Sequence, residues 1–114
     1  MNWIPFNLPA QIQQILESSF QTPCLIFKHS TRCSISSIAK HRLENNWTFS
    51  EDEVKPFFLD LIAERSVSNA VAEHFQVHHE SPQIILVWKG EVVLDASHLD
   101  ISVDEMKEVL AFEN

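Results

Sequence analysis

Pro23-Cys24-Leu25-Ile26-Phe27-Lys28-His29-Ser30-Thr31-Arg32-Cys33-Ser34-Ile35-Ser36 is the stretch whose reading decides the fold. After the proline, Cys24–Phe27 is a short apolar run and reads as a buried parallel strand. A polar loop, Ser30-Thr31-Arg32, follows it. Ile35, Ile38, Ala39 and Leu43 then fall on one helical face, which fades at Asn45-Asn46. Cys33 therefore sits in the first turn of a helix that follows a strand. A cysteine there faces unpaired backbone N–H groups and the positive end of the helix dipole. Both favour thiolate over thiol, and the thiolate is the nucleophile. The spacing Cys33-Ser34-Ile35-Ser36 is that of a CxxC redox motif with serine in the second place. It points to thiol–disulfide exchange with one cysteine.

The flanking sequence supplies the remaining elements. Asn7-Leu8-Pro9 reads as a helix start, with Asn7 as N-cap and Pro9 in the first turn. Leu8, Ile12, Ile15 and Leu16 keep helical spacing to an end near Phe20. Phe57–Ile62 reads as a second central strand, with Pro56 at its beginning. Ser66 is placed to cap a helix that carries Val67, Ala70, Val71 and Phe75. Gln83–Trp88, Lys89-Gly90 and Glu91–Asp95 read as a β-hairpin with a two-residue connection. Gly90, the only glycine, falls where the turn needs unusual backbone angles. Val103, Met106, Val109 and Leu110 mark a last amphipathic helix. Helices between the early strands imply right-handed parallel crossovers, and the hairpin adds an antiparallel edge. The expected fold class is α/β: a thioredoxin-like three-layer α/β/α sandwich with a mixed four-stranded central sheet, one domain over residues 1–114.

Composition narrows the partners. The chain is long enough to bury a real core, and its 45% apolar content suits a folded protein. A formal charge of −8 argues against nonspecific binding to nucleic acid or anionic membrane, both of which need a basic surface. No apolar run approaches the roughly 18 residues of a membrane span. Met1–Pro5 has no charged segment leading into an apolar core, so no signal peptide is read and a cytoplasmic location is expected. Two cysteines make no disulfide framework.

The run Phe27–Ser36, together with His79-Glu80-Ser81-Pro82-Gln83, resembles the bacillithiol-system YtxJ family, the bacilliredoxin C-type proteins. Ala96-Ser97-His98-Leu99-Asp100-Ile101 resembles that family's closing segment, and the likeness runs from about Pro23 to about Leu110. The resemblance implies a monothiol oxidoreductase that strips bacillithiol from mixed disulfides on client proteins, with Cys33 as nucleophile. It implies no bound cofactor. A low-molecular-weight thiol of the bacillithiol kind serves as co-substrate, and that thiol or a reductase restores the cysteine. Ser81-Pro82 matches the loop whose proline is cis and lies opposite the active cysteine, and Ser81 there offers backbone groups to an extended substrate. Ser34 departs from the family pattern, where proline is expected.

Each further candidate carries a plain alternative. Cys24 begins its strand, which should carry the chain roughly 16 Å from it in five steps. A disulfide wants Cα atoms within about 7 Å, so Cys24 reads as a core cysteine rather than a resolving one. The Ser36 hydroxyl can donate to the thiolate or bond orphan N–H groups at the helix start. Lys28 and Arg32 can stabilise the thiolate or meet carboxylates of a small thiol, or simply be solvated. His29 can serve as acid or base, or be an incidental loop residue. His78 and His79 are adjacent and point to opposite sides of an extended chain, so no metal site is read. A cysteine hydrolase lacks an identifiable third residue and oxyanion motif. A binding adaptor that uses the Ser81-Pro82 surface without turnover is the alternative function.

Overall fold

The computed structural model describes residues 1–113. The elements are β1 (Ile4–Pro5), α1 (Gln11–Ser18), β2 (Cys24–His29), α2 (Ser34–Asn46), β3 (Lys55–Asp60), α3 (Arg65–Phe75), β4 (Gln83–Trp88), β5 (Glu91–Ser97) and α4 (Val103–Glu113). A 3-10 turn at His98–Asp100 links β5 to α4. The sheet order is β1-β3-β2-β4-β5. β1 and β2 flank β3 in parallel, β4 runs antiparallel to β2, and β5 antiparallel to β4.

Side chains alternate across β2 and divide the core in two. Cys24 and Ile26 pack with Ile85, Val87 and Leu59 against Ile12 and Ile15 of α1 and Val67 and Val71 of α3. Leu25 and Phe27 pack with Ile84 and Leu86 against Ala39 and Leu43 of α2 and Met106 and Leu110 of α4. The three layers follow from this period-two pattern, because each face of a central strand needs its own helical cover.

The sheet has five strands, not four. β1 is two residues long and includes a proline, so it carries no readable period. It pairs Ile4 with Phe57 and Pro5 with Phe58, and Phe6 N–H donates to Phe58 O at 2.9 Å. β2 is also longer than its apolar run and takes in Lys28 and His29, both buried.

Helix starts differ from the sequence expectation. Asn7 does not cap α1. Gln11 reaches back instead: its Oε1 accepts from the N–H groups of Asn7 and Leu8 at 2.8 and 2.9 Å, while its Nε2 donates to Pro5 O at 2.8 Å. Ser66 lies inside α3 rather than at its cap, and Asp60 Oδ1 accepts from Ile62 and Ala63 in the turn before it. On α2 the buried stripe is Ser36, Ala39 and Leu43, while Ile35 and Ile38 are exposed. A serine joins that stripe because its hydroxyl is fully engaged there, as described below. The hairpin turn is as read: Lys89 and Gly90 both have positive φ, 53° and 79°. The ladder carries a register shift near Leu86 and Val87.

Candidate active site

The strand register brings the candidate residues to one end of the sheet. His29 stands opposite Asp60, Lys28 opposite Gln83, and Gln83 opposite Ser97. The Ser30–Cys33 connection therefore leaves β2 at the end where Ser81-Pro82 enters β4 and where β5 runs out into His98. The Ser81–Pro82 peptide bond is cis. No hydrogen bond among the described residues engages the Ser81 N–H or C=O.

Cys33 is the N-cap of α2, with extended backbone angles and no side-chain capping bond. Its N–H donates to Ser30 O at 3.2 Å, closing a tight turn, and its C=O accepts the first helical bond from Ser37 at 3.2 Å. The thiol is free and partly exposed. Placed at the start of a 13-residue helix, it lies beside first-turn N–H groups that have no carbonyl to meet within the helix.

The hydroxyl of Ser36 does neither of the things the sequence leaves open. It accepts from Ser30 N–H at 2.9 Å and lies 2.8 Å from His29 Nδ1, tying the end of β2 to the first turn of α2. His29 is not a loop residue. It is a buried strand residue packed against Phe27 and Phe58, with ring centroids 5.7 and 5.4 Å away. Burial, aided by the Lys40 charge, holds its imidazole below the usual 6.5. Its place in this site is to anchor Ser36.

The expectation that Lys28 meets substrate gives way. Alternation along β2 turns Lys28 to the α3 side of the sheet, where it is fully buried. Its Nζ donates to Ser68 O at 3.2 Å and lies 3.2 Å from His79 Nδ1. Burial lowers its pKa from 10.5 to about 8. Arg32 is the cation that remains exposed beside Cys33.

Cys24 sits at the far end of β2, fully buried, with Sγ 3.4 Å from Thr22 O and 3.8 Å from Ile15 O. Burial pushes its thiol from 9.0 up to about 11, against a smaller lowering from Lys55. A thiol so placed is a packed donor and a poor nucleophile at neutral pH.

The sequence reading missed three contacts around this end of the sheet. Ser68 and His79 meet Lys28 from α3 and from the loop before β4. His98 takes a left-handed backbone, φ 55°, and its N–H donates to Pro82 O at 3.0 Å. The signal available for Lys28 was the alternation Cys24, Ile26, Lys28, which continues one buried face. Among the described residues no cluster of three His, Cys, Asp or Glu is placed to hold a metal, and no helix is long and apolar enough to cross a membrane.

A strand running into a cysteine-capped helix, backed by an antiparallel hairpin, places the chain among thioredoxin-fold thiol oxidoreductases. Residues 4–106 match the monothiol bacilliredoxin BrxC family, and the chain belongs to that family. Solved structures carry the same fold. A candidate oxidoreductase with a thioredoxin fold superposes with a TM-score of 0.79 at 29% identity, over 93% of this chain and 91% of its own. Thioredoxin from Trypanosoma brucei brucei gives 0.73 at 12% identity, over 98% and 90%. Thioredoxin f2 from Chlamydomonas reinhardtii gives 0.71 at 11%, over 99% and 97%.

Proposed function

We propose that the protein removes a low-molecular-weight thiol, bacillithiol or a close equivalent, from mixed disulfides on client proteins. The observation that carries this reading is the isolation of Cys33: a helix-capping, accessible thiol whose CxxC partner position holds a serine committed elsewhere. The Cys33 thiolate attacks the small-thiol sulfur. The S–S bond of the mixed disulfide breaks, the client leaves as a thiolate that keeps its own sulfur, and Cys33 carries the small thiol in a new S–S bond. A second small-thiol thiolate, or that of a reductase, then attacks this disulfide and returns Cys33 as thiolate. With the second molecule of small thiol, the product is its symmetrical disulfide.

Arg32 is the exposed cation available to a carboxylate of the small thiol. The Ser81 backbone groups stand unpaired for an extended client segment, and Pro82 completes that edge. No metal or bound cofactor enters the chemistry.

Intact mass spectrometry after exposure to bacillithiol disulfide tests the reading. One adduct on Cys33, absent in Cys33→Ser and removed by added thiol, is the expected result. No adduct, under conditions that modify an exposed control thiol, would leave the adaptor reading in its place.

A further inference from the structure

A fully buried lysine is costly unless its ammonium is satisfied. Among the described residues Lys28 has no carboxylate at salt-bridge distance. Its partners are the Ser68 carbonyl of α3 and the Nδ1 of His79, each at 3.2 Å. An ammonium has no lone pair, so Nδ1 accepts and the His79 proton sits on Nε2. Ser68 Oγ lies 3.4 Å from the same ring nitrogen. One side chain of β2 thus holds both α3 and the segment that leads into Ser81-Pro82.

That segment has few other ties. Across the ladder from Lys28, Gln83 donates through Nε2 to His78 O at 2.9 Å. The His98 N–H reaches Pro82 O. Ser81 Oγ and Gln83 Oε1 are buried and make no hydrogen bond. Glu80 lies 3.9 Å from His78 Nε2 and 3.7 Å from His98 Nε2, long contacts between exposed side chains, with the His78 side chain 90% exposed. Apart from the Gln83–His78 bond, the side chains of the segment meet only long, exposed contacts, and the buried anchor at His79 comes from Lys28.

We propose that Lys28 is a positioning residue: through His79 it fixes the loop that presents the Ser81 backbone to a disulfide substrate beside Cys33. The task assigned to the loop rests on the exchange reaction proposed above, whereas the clamp itself is independent of it.

The test compares Lys28→Met, His79→Leu and His79→Asn, the last keeping an acceptor near the place of Nδ1. Amide hydrogen exchange over residues 77–83 reads the clamp directly. Exchange with a peptide mixed disulfide, separated into kcat and KM, reads its use. Alkylation of Cys33 by iodoacetamide reads the thiol alone. Lys28→Met and His79→Leu should speed amide exchange and raise KM about tenfold, the worth of one charge-assisted hydrogen bond. Alkylation should stay unchanged, and His79→Asn should behave as wild type. Folded variants with unaltered amide exchange would overturn the clamp, as would His79→Asn as impaired as His79→Leu. If Lys28→Met fails to fold, the two His79 variants still decide. If the wild-type protein exchanges with no disulfide, the reaction proposed above falls and amide exchange alone decides the clamp.

Discussion

Ser36 Oγ and His29 Nδ1 lie 2.8 Å apart beneath the first turn of α2, and the same oxygen takes the Ser30 amide. The third position after Cys33 is thereby turned into a joint between strand and helix. It sets the course of the chain through Cys33 without supplying a second redox group.

Ser36→Ala should therefore act on stability first. It leaves a buried Ser30 N–H without a partner, a loss of about 1–3 kcal/mol. Urea denaturation should show that loss, while the rate of Cys33 alkylation by iodoacetamide stays within a few-fold of wild type. A large fall in rate with unchanged stability would mean that the hydroxyl serves the thiol directly.

Cys24→Ala should leave adduct formation at Cys33 intact and cost about 1–2 kcal/mol through the small cavity it opens. Its alkaline behaviour is a sharper check. The folded thiol titrates at about 11 and the unfolded one near 9.0, so the folded state holds the proton longer. That contribution is complete below 9.0 and is lost as pH rises through 11. The stability gap between wild type and Cys24→Ala should shrink across that window.

Lys28 has the opposite sign. Its folded pKa of about 8 lies below the ordinary 10.5, so the unfolded chain binds more protons between those values. Its contribution is most favourable above 10.5 and declines as pH falls through 8. Relative to Lys28→Met, the wild-type protein should gain stability as pH rises from 8 to 10.5, measured by denaturant midpoints at fixed ionic strength.

On the acid side, His29 and His79 are both held below 6.5, first by burial, so the fold prefers neutral imidazoles. Stability should fall as pH drops below 6.5, and replacing either ring by asparagine should flatten that fall in a pH series of thermal melts.

How much of this was legible follows the range of the contacts. Cys33 at a helix start could be read because strand, loop and helix adjoin in sequence. The hairpin could be read because Lys89-Gly90 is a local turn with its own chemistry. Lys28 could not be placed from its neighbours, since its partners lie 40 and 51 residues away. Its charge marked the end of the apolar run and hid the alternation that buries it. Ile35 and Ile38 misled in the opposite sense: apolar spacing drew the face of α2 through them, whereas the buried line runs through Ser36, whose polarity is satisfied by residues before the helix. β1 finds its strand partners in distant Phe57 and Phe58, and two residues cannot announce that pairing.

That short strand bears on how the molecule keeps its neighbours at a distance. Beyond β3 the sheet ends in Ile4–Pro5, and Pro5 has no N–H to offer another chain. At the opposite rim, β5 carries Glu91 and Asp95, both exposed, and its pairing is kinked where Val92 faces Val87. A sheet rich in Ile, Leu, Val and Phe is thus bordered by two strands that are poor templates for amyloid-like growth.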